Sequence, residues 1–242
     1  MLKAVFFDLD GTLLPMEQEA FIRAYFGPLC GKVAPLGVEP KALVEVIWQF
    51  IAAAAENDGA VINETVFWRC MASRFGEDIR SKTEAVFDDF YREEFDCARS
   101  VCGCDPRARE IIDLLHSHRI PLILATNPVF PAIATEARVR WAGLETTDFL
   151  HITTMENSSR AKPNPEYYRE LLRQFELSAE ECLMIGNDVQ EDGAAAMVGM
   201  PLFFLTKHLI DRDGSGVQAY PHGDFDTLKA FLHNSFAQNS GT

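Results

Sequence analysis

Short runs of apolar residues alternate along this chain with longer segments in which apolar residues recur every three or four positions. The short runs predict buried strands; they occupy residues 4–7, 120–125, 182–185 and 201–205, with a further short strand expected over 149–153. Helical segments separate successive runs, which is typical of right-handed β-α-β units. The pattern therefore predicts an α/β fold with a parallel sheet covered by helices on both faces.

Between the first and second apolar runs, the chain has helical periodicity throughout. The expected helices of this block span residues 16–26, 41–55, 64–75 and 81–94. Gly27-Pro28 is expected to end the first of them, and Asn63 to cap the third. Later helices are expected over residues 107–118, 131–141, 165–175 and 190–198. We therefore expect an all-helical domain over 16–95, inserted in a sheet domain formed by 1–15 and 96–242.

Polar side chains follow three of the apolar runs, at the point where each strand is expected to end. They are Asp8 and Asp10 after the first run, Thr126 and Asn127 after the second, and Asn187, Asp188 and Asp192 after the third. Lys162 precedes the third run, in a loop stiffened by Pro163 and Pro165. Ligands of open parallel sheets bind beyond the carboxyl ends of the strands, so we expect these side chains to meet at one edge.

Asp8 and Asp10 lie two positions apart, so a strand continued through them would point both carboxylates to the same side. Two acids that face one spot repel each other, and burying them without a partner is costly. A cation between them relieves this cost, and carboxylate oxygens suit a magnesium-like ion. The alternative is a strand that ends in a turn, where aspartate and a glycine such as Gly11 are common.

Transfer of a phosphoryl group needs a set of groups that these residues can supply. One carboxylate acts as nucleophile, a second protonates the leaving oxygen and later activates water, and further carboxylates hold a magnesium ion. A hydroxyl with backbone amides binds the phosphoryl oxygens, and an ammonium balances their charge. The residues with these chemistries are Asp8, Asp10, Asp188, Thr126 and Lys162. Each also has an ordinary structural interpretation as a turn residue, a surface lysine or a helix N-terminal acid.

Composition limits the partners of the chain. It has 242 residues, of which 48% are hydrophobic, enough for a sizeable core. Its net charge of −14 argues against nucleic acid and anionic membranes as partners. No apolar stretch reaches the ~20 residues of a transmembrane helix, and the N-terminus does not look like a secretory signal. The six cysteines lack the spacing of a zinc site and predict reduced thiols in a cytoplasmic protein.

Four sequence motifs resemble those of the haloacid dehalogenase (HAD) superfamily of hydrolases, in the order that the family has them. They are FFDLDGTLL at residues 6–14, LATN at 124–127, AKPNPEYY at 161–168 and MIGNDVQEDGAAAMVGM at 184–200. The resemblance implies a Mg²⁺-dependent phosphatase that acts on a small phosphorylated metabolite and has a Rossmann-like core. It also implies that Asp8 is the nucleophile and a metal ligand. Asp10 would be the general acid and base, and its backbone carbonyl would bind the metal.

The same resemblance implies roles for the other motifs. Thr126 and the amide of Asn127 would bind the phosphoryl group, and Lys162 would steady the nucleophile and the phosphate. The helical block would be a cap that closes over the site and chooses the substrate. Many members carry aspartate directly after the glycine of the fourth motif, where this chain has Asn187. We therefore expect Asp188 as metal ligand and Asp192 as a possible second acid.

The aromatic residues of the helical block are expected mainly to pack its core, with one or two lining the substrate chamber. They are Trp48, Phe50, Phe67, Trp68, Phe87, Phe90 and Tyr91.

Other functions compete with the phosphatase. A carbon–halogen hydrolase of the same superfamily needs no metal and lacks the second acid of the first motif, so Asp10 and the Asp188/Asp192 pair argue against it. A phosphomutase would return the phosphoryl group to a sugar, and no dedicated residue for this is recognisable in the helical block. A catalytically idle binding module would keep only the fold. The sequence predicts neither the particular substrate nor the oligomeric state.

Overall fold

The computed structural model describes residues 2–214 and 216–239. Its sheet has six strands: Ala4–Phe7 (β1), Leu122–Leu124 (β2), His151–Ile152 (β3), Cys182–Gly186 (β4), Leu202–Leu205 (β5) and His222–Gly223 (β6). The order across the sheet is β3-β2-β1-β4-β5-β6, and every neighbouring pair is parallel. The predicted α/β fold with a parallel sheet is therefore confirmed.

The central strand β1 is apolar at every position because both of its faces are covered. Val5 and Phe7 belong to a core cluster on one face of the sheet, and Ala4 and Phe6 belong to the cluster on the other. This division follows from the two-residue period of a strand. The neighbouring strand β4 divides its side chains between the two clusters in the same way. The sheet is thus the middle of three layers.

The described residues form eight α-helices. They span Gln18–Val33 (α1), Pro40–Ala55 (α2), Asn63–Phe75 (α3), Ile79–Asp89 (α4), Pro106–Ser117 (α5), Ala132–Trp141 (α6), Pro165–Gln174 (α7) and Phe225–Asn239 (α8). A π-helical turn, Phe90–Glu94, and a 3-10 helix, Phe95–Val101, continue α4. The helix expected over 190–198 is a shorter 3-10 helix, Asp192–Val198. In the described part of the chain, no helix has the length and apolar character needed to cross a membrane.

Helices α1 to α4 lie between β1 and β2 in the chain, as the periodicity predicted. The chain leaves and re-enters the sheet region at adjacent points. The Gly103 N–H donates to the Pro15 carbonyl oxygen at 2.6 Å, and Met16 forms an antiparallel bridge with Cys102. We call residues 16–102 the helical insert. That residues 16–95 form a domain of their own stays a prediction.

Two local predictions in the helical insert are wrong. Gly27-Pro28 does not end α1, which continues to Val33. A proline inside a helix costs ~3 kcal/mol, but Leu29 and Val33 beyond it are buried, and burying each such side chain contributes about 1.5–3 kcal/mol. Packing therefore outweighs the local preference. Asn63 makes no capping hydrogen bond at the start of α3, because its side chain contacts other loops.

The last two elements, β6 and α8, were not predicted. With two residues, β6 is too short to show an alternating pattern. The helix α8 does carry a signal, because Phe225, Leu228 and Leu232 follow helical spacing and are all buried. They join the core cluster on one face of the sheet, where α8 packs beside α5.

Candidate active site

The strand order reverses at β1. Strands β2 and β3 lie on one side of it, and β4, β5 and β6 lie on the other. Such a point leaves a crevice beyond the carboxyl ends of the strands, where ligands of open α/β sheets bind. Asp8 directly follows β1, Asn187 directly follows β4, and Thr126 is the second residue after β2. The structure thus brings the ends of the three predicted motifs to one edge of the sheet.

Asp8 is buried, and both of its carboxylate oxygens accept hydrogen bonds. Lys162 Nζ donates to Oδ1 at 2.8 Å, and Thr12 Oγ1 donates to Oδ2 at 3.3 Å. The Asp8 backbone N–H donates to the Ile185 carbonyl oxygen at 2.9 Å, which ties it to β4. Burial raises the pKa of Asp8, Lys162 lowers it and Asp10 raises it further. The Asp8 carboxylate is therefore held in one place, with a cation beside it.

Lys162 has a fully buried ammonium that bridges two carboxylates. Its Nζ donates to Asp8 Oδ1 and, at 2.6 Å, to Asp192 Oδ1. Burial alone would lower the pKa of Lys162, but Asp192 and Asp8 outweigh burial and raise this pKa well above the usual value. The other Asp192 oxygen accepts from the backbone N–H groups of Asn187 and Asp188, both at 2.9 Å. Lys162 is therefore a charged member of a buried network and not a surface lysine.

Asn187 has both polar ends of its side chain in use. Its Oδ1 accepts a hydrogen bond from Thr12 Oγ1 at 2.9 Å, and its Nδ2 donates to the His208 carbonyl oxygen at 2.7 Å. The amide also packs against Gly11, where the backbone has a φ of +83° and an added Cβ would lie 2.3 Å from Nδ2. Both conditions require glycine at this turn. Asn187 therefore links the loop after β4 to the turn after β1.

Asp188 faces a cation that the sequence pattern did not indicate. The Arg212 guanidinium contacts both carboxylate oxygens, at 3.0 Å for Oδ1 and 2.7 Å for Oδ2. Oδ1 also accepts from the backbone N–H groups of Gln190 and Glu191, both at 2.9 Å. A bidentate pair of arginine and carboxylate is among the stronger hydrogen-bonded arrangements. Arg212 thus supplies the positive charge at Asp188 in this structure.

Asp10 pairs with Arg138, a residue of α6. Nη1 of Arg138 donates to Asp10 Oδ2, while its other nitrogens donate to the Ala134 carbonyl oxygen at 3.3 Å and to Thr135 Oγ1 at 3.2 Å. Arg138 is completely buried, and its guanidinium lies 4.2 Å from the centroid of the Phe130 ring. Burial raises the pKa of Asp10, and Arg138 opposes this. The second oxygen of Asp10, Oδ1, is buried and has no hydrogen-bond partner among the described residues.

Thr126 and Asn127 lie in the loop after β2, which other side chains hold in place. The Thr126 carbonyl oxygen accepts from Thr153 Oγ1 at 2.7 Å and from the Tyr167 hydroxyl at 3.0 Å. Asn127 Nδ2 donates to Glu191 Oε2 at 3.1 Å. Burial raises the pKa of Glu191 to about 7, and Asp188 adds to the effect. Glu191 is therefore a further acid at this edge of the sheet.

A group of hydrogen bonds around Asn63 joins the helical insert to loops near the site. Asn63 is fully buried, and its Nδ2 donates to the carbonyl oxygens of Pro128 at 3.2 Å and Arg160 at 3.1 Å. Its Oδ1 accepts from Asn57 Nδ2 at 3.0 Å, and the Arg160 side chain donates to the Asn57 carbonyl oxygen at the same distance. These hydrogen bonds therefore connect the insert to the loops that carry Asn127 and Lys162.

The donors for a metal ion at this edge are mixed. Over residues 2–214 and 216–239, no three His, Cys, Asp or Glu side chains are placed to hold a metal ion by themselves. Two buried oxygens, Oδ1 of Asp10 and Oδ1 of Asn127, nevertheless lack a hydrogen-bond partner within that part of the chain. Buried oxygens without a partner are costly. A cation bound by carboxylate and carbonyl oxygens together would relieve this cost.

Four of these polar residues were missed in the sequence: Thr12, Arg138, Glu191 and Arg212. Thr12 lies two positions after Asp10, inside the first motif, and could have been found there. Arg138 occurs among residues of α6 that are otherwise mostly small or apolar, and a charge on a buried helix face is a usable signal. Glu191 directly precedes Asp192. Arg212 lies in an irregular loop, where periodicity gives no information.

A family model described as a haloacid dehalogenase-like hydrolase matches residues 2–199. The chain is also similar to the phosphoglycolate phosphatase of Vibrio parahaemolyticus. The two are 26% identical over 206 residues, which cover 85% of this chain and 84% of that protein.

Two solved structures have the same fold over almost the whole chain. A HAD phosphatase from Thermococcus onnurineus has a TM-score of 0.60 at 18% identity, and the match covers 96% of this chain and 98% of the other. A 2-haloacid dehalogenase from Pseudomonas syringae also has a TM-score of 0.60, at 19% identity, with 97% and 99% covered. At such identities the likeness shows the fold and does not choose between the two reactions.

Proposed function

The chain belongs to the haloacid dehalogenase-like hydrolase family, and on that premise we propose that it is a magnesium-dependent phosphatase of a small phosphorylated metabolite. The family resemblance predicted from the motifs is confirmed, and the similarity to the phosphoglycolate phosphatase of Vibrio parahaemolyticus supports a phosphatase within that family. One observation carries the proposal. The two carboxylates after β1, Asp8 and Asp10, are each paired with a buried cation, Lys162 and Arg138 respectively.

In the first step that we propose, a carboxylate oxygen of Asp8 attacks phosphorus, and the bond from phosphorus to the ester oxygen breaks. The bonding pair leaves with the alcohol oxygen, which takes a proton from Asp10. The products are the free alcohol and an aspartyl phosphate at Asp8. Burial raises the pKa of Asp10, which is the direction that favours a carboxyl able to carry and give up a proton in this step.

In the second step, water attacks phosphorus and gives a proton to the Asp10 carboxylate. The bond from phosphorus to Asp8 breaks, which releases phosphate and restores both acids. The Thr126 hydroxyl and the Asn127 backbone N–H are proposed to bind the phosphoryl oxygens. Lys162, which already pairs with Asp8, balances the charge that the phosphoryl group adds.

Magnesium is the cofactor that the family implies, and the oxygen donors after β1 and β4 fit it. The carboxylates of Asp8 and Asp188 and the backbone carbonyl of Asp10 are the groups that would hold it. When bound, it would neutralise charge on the phosphoryl oxygens. Arg212 now faces Asp188, so direct binding there requires the Arg212 pair to rearrange. We assign Asp192 to positioning Lys162, because Lys162 and two amides already occupy its oxygens.

The rival functions receive less support from these residues. A carbon–halogen hydrolase has no use for a second acid after the nucleophile, whereas Asp10 here has a dedicated partner, Arg138. A phosphomutase would need a residue of the helical insert to hand the phosphoryl group on, and the fold indicates none. An idle binding module would not need two carboxylates with raised pKa values beside one another.

The test is release of phosphate from p-nitrophenyl phosphate and from a panel of small phosphate esters, measured with Mg²⁺ and with EDTA. We expect turnover only with Mg²⁺, and none in Asp8→Asn. Asp113→Asn, which removes an exposed carboxylate of α5, is the matched control. Full turnover in Asp8→Asn would rule out the nucleophile, and turnover that EDTA leaves unchanged would rule out the metal.

A cytoplasmic setting is also proposed. All six cysteines are free thiols in the structure, as predicted. Free thiols are typical of reducing compartments.

A further inference from the structure

A cavity of about 90 Å³ lies between the helical insert and the loop after Asn127. Residues 129–131 form one wall of it. The helical insert contributes most of the remaining lining, including the aromatic side chains Tyr25, Phe50, Phe67, Trp68, Phe87 and Tyr91. A single water needs only ~10–15 Å³, so the cavity admits a group of several heavy atoms.

The cavity adjoins the Asp10 side of the site. Phe130, in the first wall, stacks against the Arg138 guanidinium that pairs with Asp10. Tyr25, which also lines the cavity, packs against Phe130, with the two ring centroids 5.7 Å apart. Residues 129–131 follow closely on Asn127, which we propose as a phosphoryl-binding residue. The cavity and the Asp10–Arg138 pair therefore share Phe130.

The charged groups that line the cavity are all acids. They are Glu64, Glu84, Asp88 and Glu156. Arg80, which lies over the Trp68 ring, forms ion pairs with Glu64 and Glu84. Asp88 and Glu156 have no basic partner among the described residues, and Glu156 accepts only from the Ala132 backbone N–H. The cavity therefore keeps a negative charge that no protein cation balances.

Trp68 belongs to the aromatic part of the cavity lining. Its side chain lines the cavity and is only 8% exposed as a residue. The indole N–H is buried and has no acceptor within residues 2–214 and 216–239. A water-sized group does not reach this N–H, so Trp68 offers the face of its ring to a bound group and not a hydrogen bond.

We propose that this cavity receives the alcohol part of the substrate and selects phosphate esters of amino alcohols. The proposal rests on the proposed phosphatase function. A substrate ammonium is attracted to the faces of aromatic rings and to the unpaired Asp88 and Glu156. A carboxylate in the same place is repelled by those acids. The preference is therefore the reverse of what the name of the Vibrio relative indicates, since phosphoglycolate carries a carboxylate.

Three esters of equal length test the preference: O-phosphoethanolamine, 2-hydroxyethyl phosphate and 2-phosphoglycolate. We expect kcat/KM to fall in that order, with at least about tenfold between the first and the last. Equal rates, or a preference for 2-phosphoglycolate, would overturn the selectivity. Turnover of p-nitrophenyl phosphate in the same assay separates the two proposals. If it is hydrolysed while the order is wrong, only the selectivity fails.

Two neighbouring acids provide a matched pair of variants. Both Asp88 and Asp89 are exposed. Asp88→Asn removes a charge at the cavity that has no basic partner in the described part of the chain, whereas Asp89→Asn removes a carboxylate that is paired with Arg92. We expect the ratio of O-phosphoethanolamine to 2-hydroxyethyl phosphate turnover to fall about threefold or more in Asp88→Asn. It should keep its wild-type value in Asp89→Asn. Equal ratios in both variants would exclude Asp88 from selection.

A binding measurement keeps the selectivity testable even in a protein that hydrolyses no ester. Choline and propionate are titrated separately into the full chain by calorimetry. Tighter binding of choline, weakened in Asp88→Asn, supports the cavity as an ammonium site. Tighter binding of propionate, or no binding of choline, overturns it.

Discussion

The two acids that follow β1 are held in contrasting ways. The Asp8 cluster, which consists of Asp8, Thr12, Lys162 and Asp192, is closed: its lysine bonds two carboxylates, and both oxygens of Asp8 are occupied. The Asp10 cluster consists of Asp10 and Arg138 with the groups that support the arginine. There one oxygen lacks a partner and the Asp10 side chain is 28% exposed. The first arrangement suits a group that must stay in place, and the second suits one that must exchange protons.

Removing each carboxylate should separate the two roles, and this is the largest effect that we expect. Asp8→Asn should lose on the order of 10⁵-fold in kcat with every ester, because the nucleophile is gone. Asp10→Asn should lose about 10²–10⁴-fold with alkyl phosphates. With p-nitrophenyl phosphate, whose leaving group needs no proton, Asp10→Asn should show a burst of nitrophenol before slow turnover. Rapid-quench kinetics check this, and a burst in Asp8→Asn would contradict the assignment.

Removing Lys162 should test how much the Asp8 cluster contributes to the free energy of unfolding. Lys162→Met leaves Asp8 and Asp192 buried without their cation, so we expect a loss of about 3–5 kcal/mol in the free energy of unfolding. Lys229→Met, which breaks an exposed pair with Glu110, should cost no more than about 1 kcal/mol. Urea unfolding followed by circular dichroism measures both. Equal losses in the two variants would mean that the buried network contributes little.

The Asp10 cluster can be tested by a double-mutant cycle. Arg138→Met should destabilise the fold by about 3 kcal/mol, since Asp10 then lacks its cation. Adding Asp10→Asn removes the uncompensated charge, and we expect it to recover at least about 1 kcal/mol. Adding Asp8→Asn instead should recover less, because Asp8 keeps its own cation, Lys162. A recovery with Asp8→Asn as large as with Asp10→Asn would show that the two clusters are one.

Glu191 offers a third case. Among the described residues, the only side-chain partner of its carboxyl is the Asn127 amide. Its pKa rises to about 7 because of burial. The folded protein therefore holds this proton more tightly than the unfolded chain does. The resulting stabilisation is complete below the usual glutamate pKa of ~4.3 and is lost as pH rises through about 7.

The prediction for Glu191 concerns the metal-free protein in EDTA. The difference in unfolding free energy between wild type and Glu191→Gln should fall as pH rises from 5 to 8. Glu180→Gln, an exposed glutamate before β4, should show a constant difference from wild type. Urea unfolding at a series of pH values supplies the measurement. A difference that grows with pH would mean that a cation or a donor already holds Glu191 in its charged form.

The smallest expected effect concerns Arg212. Since its guanidinium competes with a metal ion for Asp188, Arg212→Ala should bind Mg²⁺ a few-fold more tightly, by on the order of 1 kcal/mol. Isothermal titration without substrate measures this, and Arg173→Ala, which loses an exposed contact with Glu166, is the control. Weaker binding in Arg212→Ala would indicate that Asp188 needs the arginine to hold its position.

The sequence allowed the Asp8 cluster to be predicted in part, because its members belong to short motifs at strand ends. Ligands of open parallel sheets bind beyond the carboxyl ends of the strands, so those motifs could be expected to meet before any contact was known. Arg138 could not be placed in the same way. It lies 128 positions from Asp10, and an arginine in a helix has no assigned partner until the packing of that helix is known. The continuation of α1 through Pro28 is a similar case, since burial of residues beyond it decides the outcome.

The hydrogen bond between Gly103 and Pro15 affects how the length of the helical insert can change in evolution. Since both ends of the helical insert are fixed side by side, the sheet meets the insert as a single closed loop. The entropy lost in closing a loop grows only with the logarithm of its length, by ~0.6 kcal/mol for each doubling. The sheet therefore tolerates inserts of very different size at nearly constant cost. An insert of another length can thus replace this one without a change in the sheet or in the residues after its strands.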